Sequence, residues 1–158
     1  VRYECPSPFS LIISMACYPR YLSLDPWTFP GLEERVFNVT EDTPPWEQPS
    51  GPDLVDYPKF RSWKMWKLRG AWHNFRTKPE YAGIMPKFRE WVKEQGSWLE
   101  DFVCFQVLCD LFGTAIWWHW PEQDPARAKA IASDYEEEKD FSRWLQWLCE
   151  KQWEFIRT

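Results

Sequence analysis

Acidic side chains are the residues of this sequence best suited to bond cleavage. Glu100 and Asp101 are adjacent, Asp110 follows, and residues 136–138 are three consecutive glutamates. Two carboxyl groups, one acting as acid and base and the other as nucleophile, cleave glycosidic bonds. Nothing in the spacing marks a catalytic pair. Glu100 is predicted to complete a capping box with Ser97, and Asp101 suits the positive end of a helix. We therefore assign no catalytic residue.

Histidine and cysteine offer no clearer route to catalysis. The two histidines, His73 and His119, lie in tryptophan-rich segments, so a serine or cysteine nucleophile lacks an evident base. We interpret His119 as a packed or hydrogen-bonded turn residue. The five cysteines are scattered without a C-x-x-C pair, which argues against a zinc site and favours a reducing compartment. With no glycine-rich phosphate loop either, we expect no metal and no cofactor.

The charge and hydropathy of the chain exclude several classes of partner. A net charge of −5 over 158 residues provides no basic surface for nucleic acid or for an anionic membrane. No apolar run approaches the roughly 18 residues of a membrane-spanning helix, and no signal peptide is evident. We expect neither a nucleic-acid nor a membrane partner. The expected location is the cytoplasm, or a plastid if the source is a photosynthetic eukaryote.

Tryptophan is the unusual residue of the composition. The chain has 13 tryptophans, and aromatic residues make up 19% of it. An indole ring stacks well on the apolar C–H face of a sugar, but it also packs helices together and fills interfaces. For a tryptophan at helical spacing, we predict a core position in preference to a sugar platform.

These residues must be positioned by a mainly helical region that follows an irregular arm. Residues 1–53 are predicted to be this arm, ending in a proline-rich connector at residues 41–53, because prolines interrupt the backbone repeatedly. Residues 54–158 are predicted to be helical. The two parts form either a single domain or a fragment of a larger catalytic domain.

Apolar spacing and capping residues predict four helical stretches, which begin near residues 56, 86, 97 and 124. The third should end at Gly113 and, being apolar on several faces, should be buried. Cys104 and Cys109 lie in it and should be small core residues. The last stretch runs to about Arg157. In its amphipathic second half, residues 141, 144, 145, 148, 155 and 156 are predicted to face the core, and residues 143, 146, 150, 154 and 157 the solvent.

Three helical motifs resemble one enzyme family in their order and spacing. They are Trp98-Leu99-Glu100-Asp101, then Trp117-Trp118-His119-Trp120-Pro121, and then a segment from Phe141 to Trp147 that continues to Gln152-Trp153. They resemble the WLEDYALF-like helix, the PWWxWP-like turn and the LQW…QW helix of the 4-alpha-glucanotransferases. These enzymes, also called amylomaltases or disproportionating enzymes, form glycoside hydrolase family 77.

The N-terminal segment extends the same resemblance. Residues 7–24 are similar to the family's SPYS…AFAGNPLYISL pattern, and residues 54–64 are similar to its VDY…WK segment. The similarity therefore runs from about Pro6 to Trp153, nearly the whole chain.

The resemblance implies a fold and an activity. Members of the family have a (β/α)8 TIM barrel with helical insertions. They transfer α-1,4-glucan segments between maltodextrins in starch or glycogen metabolism, by a retaining mechanism with an Asp nucleophile, a Glu acid/base and a further Asp. Those carboxylates are expected C-terminal to Thr158. The chain would then be the N-proximal helical insertion and flanking helix of the barrel, inactive alone, with α-1,4-glucan and the remainder of the barrel as partners.

The resemblance also implies substrate-binding residues. The family's SPY loop contacts sugar near the acceptor side, which implicates Ser7 and Phe9, and Tyr3 stands near a further family tyrosine. Phe9 departs from the family pattern, because phenylalanine could stack on a sugar ring but could not hydrogen-bond to it. The alternative, from a different functional class, is a non-catalytic, Trp-rich helical protein-interaction module.

Overall fold

The computed structural model describes residues 16, 17, 19, 22–24 and 57–157. Within these residues the regular structure is entirely helical, which confirms the predicted helical class. The helices are α1 (Tyr57–Thr77), α2 (Met85–Glu94), α3 (Ser97–Phe112), α4 (Pro125–Ser133) and α5 (Glu136–Arg157), with 3₁₀ helices at Pro79–Tyr81 and Trp117–His119. None of the helices in this part of the chain is long and apolar enough to cross a membrane.

The described residues belong to two compact units. Unit 1 contains residues 16, 17 and 88–147, and unit 2 contains residues 19, 22–24, 57–87 and 148–157. The predicted boundary between an arm and a helical region, at residues 53 and 54, lies outside the described residues and stays a prediction.

One hydrophobic cluster of unit 1 forms between α3, α4 and the segment that joins them. Its buried members are Cys104, Leu108, Cys109, Trp120, Ala128 and Ala132, and Phe105, Phe112 and Ile131 pack against them. The ring of Trp120 lies 5.3 Å from that of Phe105 and 5.6 Å from that of Phe112, between centroids. The burial predicted for α3 and for its two cysteines is therefore confirmed.

The core of unit 2 lies along one face of α1. Leu68, Ala71 and Phe75 are buried there at the predicted helical spacing, and the Phe75 ring lies 6.1 Å from that of Tyr81. Lys64 and Lys67 share this buried side. Burial lowers the pKa of Lys64 to about 8, and an electrostatic interaction with Cys149 opposes this shift.

Several helix ends lie where the sequence predicts them. Gly113 ends α3 with a φ of 71°, a conformation that glycine adopts at little cost. Asp124 caps α4, since its Oδ1 accepts the Arg127 N–H at 2.9 Å, and Pro125 occupies the first turn. The predicted last stretch, however, is two helices, because Asp134 and Tyr135 form a turn between α4 and α5.

The predicted capping box at α3 is wrong. Gly96 is the N-cap, with a φ of 69° and no side-chain cap hydrogen bond, so that Ser97 already lies inside the helix. A positive φ at this position is inexpensive only for glycine, which allows the helix to begin one residue early. The Glu100 carboxylate is therefore not used for capping and binds Lys139 and Arg143 instead.

The predicted faces of α5 are also partly wrong. Arg143 and Gln146, expected to face solvent, are 7% and 4% exposed, whereas Phe155 and Ile156, expected in the core, are 43% and 70% exposed. Polar side chains are buried when hydrogen-bond partners satisfy them, and both Arg143 and Gln146 have such partners in unit 1. Trp144 is fully buried, as predicted.

The residue His119 lies in a turn as predicted, but its side chain is not packed. Its backbone N–H donates to the Ile116 carbonyl at 2.9 Å, which closes the 3₁₀ helix. The imidazole itself is exposed, together with the rings of Trp117 and Trp118.

Candidate functional site

The three predicted sugar-binding residues, Tyr3, Ser7 and Phe9, lie outside the described residues, and their assignment stays a prediction. The described residues nearest to them in sequence are Ala16 and Cys17. The structure therefore shows which side chains hold the backbone just C-terminal to Tyr3, Ser7 and Phe9.

Gln146 of α5 holds the backbone of Cys17 at both of its polar groups. The Gln146 Oε1 accepts the Cys17 N–H at 2.8 Å, and the Gln146 Nε2 donates to the Cys17 carbonyl at 2.8 Å. A primary amide presents an N–H donor and a carbonyl acceptor side by side, so it pairs with a peptide group as a neighbouring strand would. We call this pair of hydrogen bonds the Gln146 clamp.

Gln152, on the same helix, makes the equivalent contact in unit 2. Its Oε1 accepts the Ser23 N–H at 2.9 Å and its Nε2 donates to the Ser23 carbonyl at 3.1 Å. Each clamp joins residues 129 positions apart in the sequence. Both glutamines are buried, at 4% and 7% exposure.

The clamps give the two glutamines of the LQW…QW motif a physical role. An unpaired backbone N–H or C=O that is shielded from water costs free energy, and outside a helix or sheet another group has to satisfy it. Helical periodicity placed Gln146 on the solvent face and so missed the clamp. The signal that could have found it is the pairing of two amide side chains in a motif otherwise made of large apolar residues.

A second polar cluster in unit 1 consists of charged groups. Arg143 donates to Glu100 at 2.5 Å, to Glu136 at 2.5 Å and to Asp140 at 2.7 Å. Lys139 lies 2.6 Å from Glu100 and 3.0 Å from Glu136. Arg89 of α2 completes the cluster with a bidentate pair to Asp140, both hydrogen bonds 2.8 Å long. Three cations thus meet three carboxylates.

These contacts determine the protonation states of the cluster. Burial alone would raise the pKa of Glu100, but hydrogen bonds from Lys139 and Arg143 hold the pKa at about 2, below the usual 4.5. Burial likewise opposes ionisation of Asp140, and hydrogen bonds from Arg89 and Arg143 nevertheless lower its pKa. A general acid for glycoside cleavage needs a raised pKa, so these two carboxylates are unsuited to that role.

The acidic run at residues 134–140 is mostly exposed, at Asp134, Glu136 and Glu137, but its last residue belongs to the charged cluster. Asp140 keeps only 17% of its side chain exposed and is held by two arginines. In the described part of the chain, no group of three or more potential metal ligands occurs. Burial raises the pKa of the Cys109 thiol to about 12, which leaves it unreactive as a nucleophile.

Comparison with known proteins identifies one family. The family model described as 4-alpha-glucanotransferase matches residues 2–158. A 4-alpha-glucanotransferase of Clostridium butyricum is 23% identical over 155 residues, which are 96% of this chain and 30% of the relative. The chain therefore spans less than a third of the length of that relative. No solved structure shows a significant match.

Proposed function

The chain belongs to the 4-alpha-glucanotransferase family, and from that premise we propose that it is part of an enzyme that transfers α-1,4-glucan segments between maltodextrins. The observation that carries the proposal is the family match over residues 2–158, joined by a curated relative of the same description. A glucan substrate follows from the family. We further propose that the parent protein acts in the cytoplasm or in a plastid.

The proposed reaction is the retaining one that the family resemblance implies. An Asp carboxylate attacks the anomeric carbon of the donor glucan, and the bond to the leaving O4 breaks as a Glu carboxyl protonates that oxygen. The glycosyl group is then bonded covalently to the Asp. The 4-hydroxyl of the acceptor attacks the same carbon, gives its proton to the Glu and releases the Asp, so both carboxyl groups regain their initial states.

We propose that these carboxyl groups belong to the (β/α)8 barrel of the parent, for which this chain supplies a helical insertion and a flanking helix. The protonation states support the proposal. Glu100 and Asp140 have lowered pKa values because cations hold them ionised, whereas the proton donor of this reaction must be protonated near neutral pH. On this proposal the 158-residue chain alone is inactive.

We propose that the arm binds the acceptor sugar through Ser7 and Phe9, with Tyr3 nearby. Ser7 would hydrogen-bond to a sugar hydroxyl and Phe9 would stack on a ring face. The Gln146 and Gln152 clamps support this proposal, since two buried side chains fix the backbone of the arm at Cys17 and Ser23, C-terminal to Phe9. Binding residues gain from such a rigid support.

The test is a transfer assay with two proteins, this chain and a longer protein that contains it. Both are incubated with maltotriose, and glucose and longer maltodextrins are separated by chromatography. We expect products from the longer protein only. In the longer protein, Phe9→Ala should raise the acceptor KM by roughly tenfold through the loss of one aromatic contact, with Phe9→Tyr as the conservative control.

Three outcomes would contradict these proposals. Robust product formation by the 158-residue chain would show that it carries its own catalytic groups. Absence of transfer by the longer protein, together with tight binding of another protein by this chain, would favour the interaction module instead. An unchanged acceptor KM in the Phe9→Ala variant would show that the arm does not bind the acceptor through Phe9.

A further inference from the structure

Two tryptophan rings project from a short turn of unit 1. Trp117 and Trp118 lie in the 3₁₀ helix Trp117–His119 and are 51% and 58% exposed. Their rings are perpendicular, with an interplanar angle of 86° and centroids 5.8 Å apart. In an edge-to-face pair, one ring meets the other with its edge, so most of the ring faces stay open, unlike those of a stacked pair.

The backbone that carries the two rings is firmly held. The indole N–H of buried Trp120 donates to the Thr114 carbonyl at 2.8 Å, and the Trp120 backbone N–H donates to the Trp117 carbonyl at 3.0 Å. Gln123 Nε2 donates to the Trp118 carbonyl at 3.0 Å. A ligand bound by these rings would therefore gain from a backbone that needs no ordering.

The two rings differ from the other exposed tryptophans of the described residues. The Lys67 ammonium lies 5.2 Å from the Trp66 ring, and the Arg157 guanidinium lies 5.7 Å from the Trp153 ring. Over Trp117 and Trp118, in the part of the chain that the structure describes, no cation lies. Each of the two residues is about half exposed, so solvent and a neutral ligand can reach both rings.

The chemistry of the turn indicates an uncharged ligand with apolar faces and polar edges. Two indole faces supply apolar contact, and the exposed imidazole of His119 supplies a polar group beside them. Sugar rings combine a C–H face with hydroxyl edges. A protein partner is less well matched, because stable protein interfaces bury about 800 Å² on each side, far more than two indoles provide.

We propose that Trp117 and Trp118 bind an α-1,4-glucan chain, at residues other than those of the proposed acceptor arm. The class of sugar rests on the proposed function. The ring geometry favours the α-1,4 linkage in particular, because successive rings of an α-1,4-glucan are inclined to each other and the chain curves. Two perpendicular indole faces match such a curved chain better than the flat ribbon of a β-1,4-glucan.

The first test measures binding of maltoheptaose to this chain by isothermal titration calorimetry, with cellohexaose as the flat control ligand. We expect binding of maltoheptaose, with a Kd roughly tenfold higher in each of the Trp117→Ala and Trp118→Ala variants, and weaker or no binding of cellohexaose. Trp153→Ala is the matched control, since it removes an equally exposed indole from α5, and its Kd should be unchanged.

Each contrary result overturns the inference. Equal affinity for the two sugars, equal loss in the Trp153→Ala variant, or unchanged affinity in the Trp117→Ala and Trp118→Ala variants would do so. Analytical ultracentrifugation provides an independent test. If the double variant Trp117→Ala/Trp118→Ala converts an oligomer to a monomer without changing glucan affinity, the rings pack against a second copy of the chain and not against sugar.

The transfer assay separates this inference from the proposed function. In an active longer protein, the double variant should raise KM for amylose several-fold and leave kcat on maltotriose unchanged. Normal amylose kinetics in that variant would refute the glucan site while the transferase function stands. An inactive longer protein whose chain still binds maltoheptaose through these tryptophans would refute the transferase function and support the glucan site.

Discussion

The Gln146 clamp can be tested by the substitution Gln146→Glu, which keeps the size of the side chain. One oxygen of the new carboxyl can still accept the Cys17 N–H, but the group that donated to the Cys17 carbonyl becomes a second oxygen. The side chain is 4% exposed, so an ionised carboxylate would be buried against a carbonyl. The protonated carboxyl, by contrast, can donate to the carbonyl and restore both hydrogen bonds.

The expected cost of this substitution follows from proton binding. Burial and the facing carbonyl raise the pKa of the new carboxyl in the folded state above its unfolded value of about 4.3. The folded state then binds more protons than the unfolded state, so stability falls as pH rises above about 4.3. The loss grows by about 1.4 kcal/mol per pH unit, to about 1 kcal/mol at pH 5 and at most about 3.7 kcal/mol at pH 7.

The measurement is urea unfolding at pH 5 and pH 7, comparing the Gln146→Glu variant with the original chain. Gln123→Glu is the matched control, because Gln123 also donates to backbone carbonyls but is exposed. Its loss should be below about 1 kcal/mol at both pH values. A Gln146→Glu penalty that does not change with pH, or one no larger than that of the control, would refute the clamp.

Two further variants test the charged cluster and the core. The lowered pKa of Glu100 contributes stability above pH 4.5 that is lost as pH falls to about 2, so Glu100→Gln should flatten acid unfolding in this window. The exposed Asp101→Asn should leave the acid profile unchanged, and an identical profile in both variants would contradict the role of the cluster. Trp144→Ala should cost about 3–5 kcal/mol in urea unfolding, because the side chain is fully buried. A loss below about 1 kcal/mol would refute its core role.

Local signals predicted the helices of this chain well. A proline in the first turn of α4, a capping Asp124 and a terminal Gly113 act within a few residues, so the sequence contains all the information needed to place these ends. The buried positions of α3 were predictable for a similar reason, since apolar residues on several faces require cover from every side.

Long-range polar contacts were not predictable in the same way. Arg143 and Gln146 are polar and periodicity assigns them to solvent, yet their partners are Glu100, 43 positions away, and Cys17, 129 positions away. No local pattern specifies such partners. The capping role predicted for Glu100 was wrong for the same reason. Its carboxylate binds Lys139 and Arg143, which are distant in the sequence.

The long sequence separation of the Gln146 clamp has a consequence for synthesis of the protein. A ribosome adds about 5–20 residues per second, so about 6–26 s pass between the addition of Cys17 and that of Gln146. During that time the Cys17 peptide group has no glutamine to hold it. Anchoring of the Cys17 segment by the clamp therefore waits until α5 has been synthesised, 129 positions later in the chain.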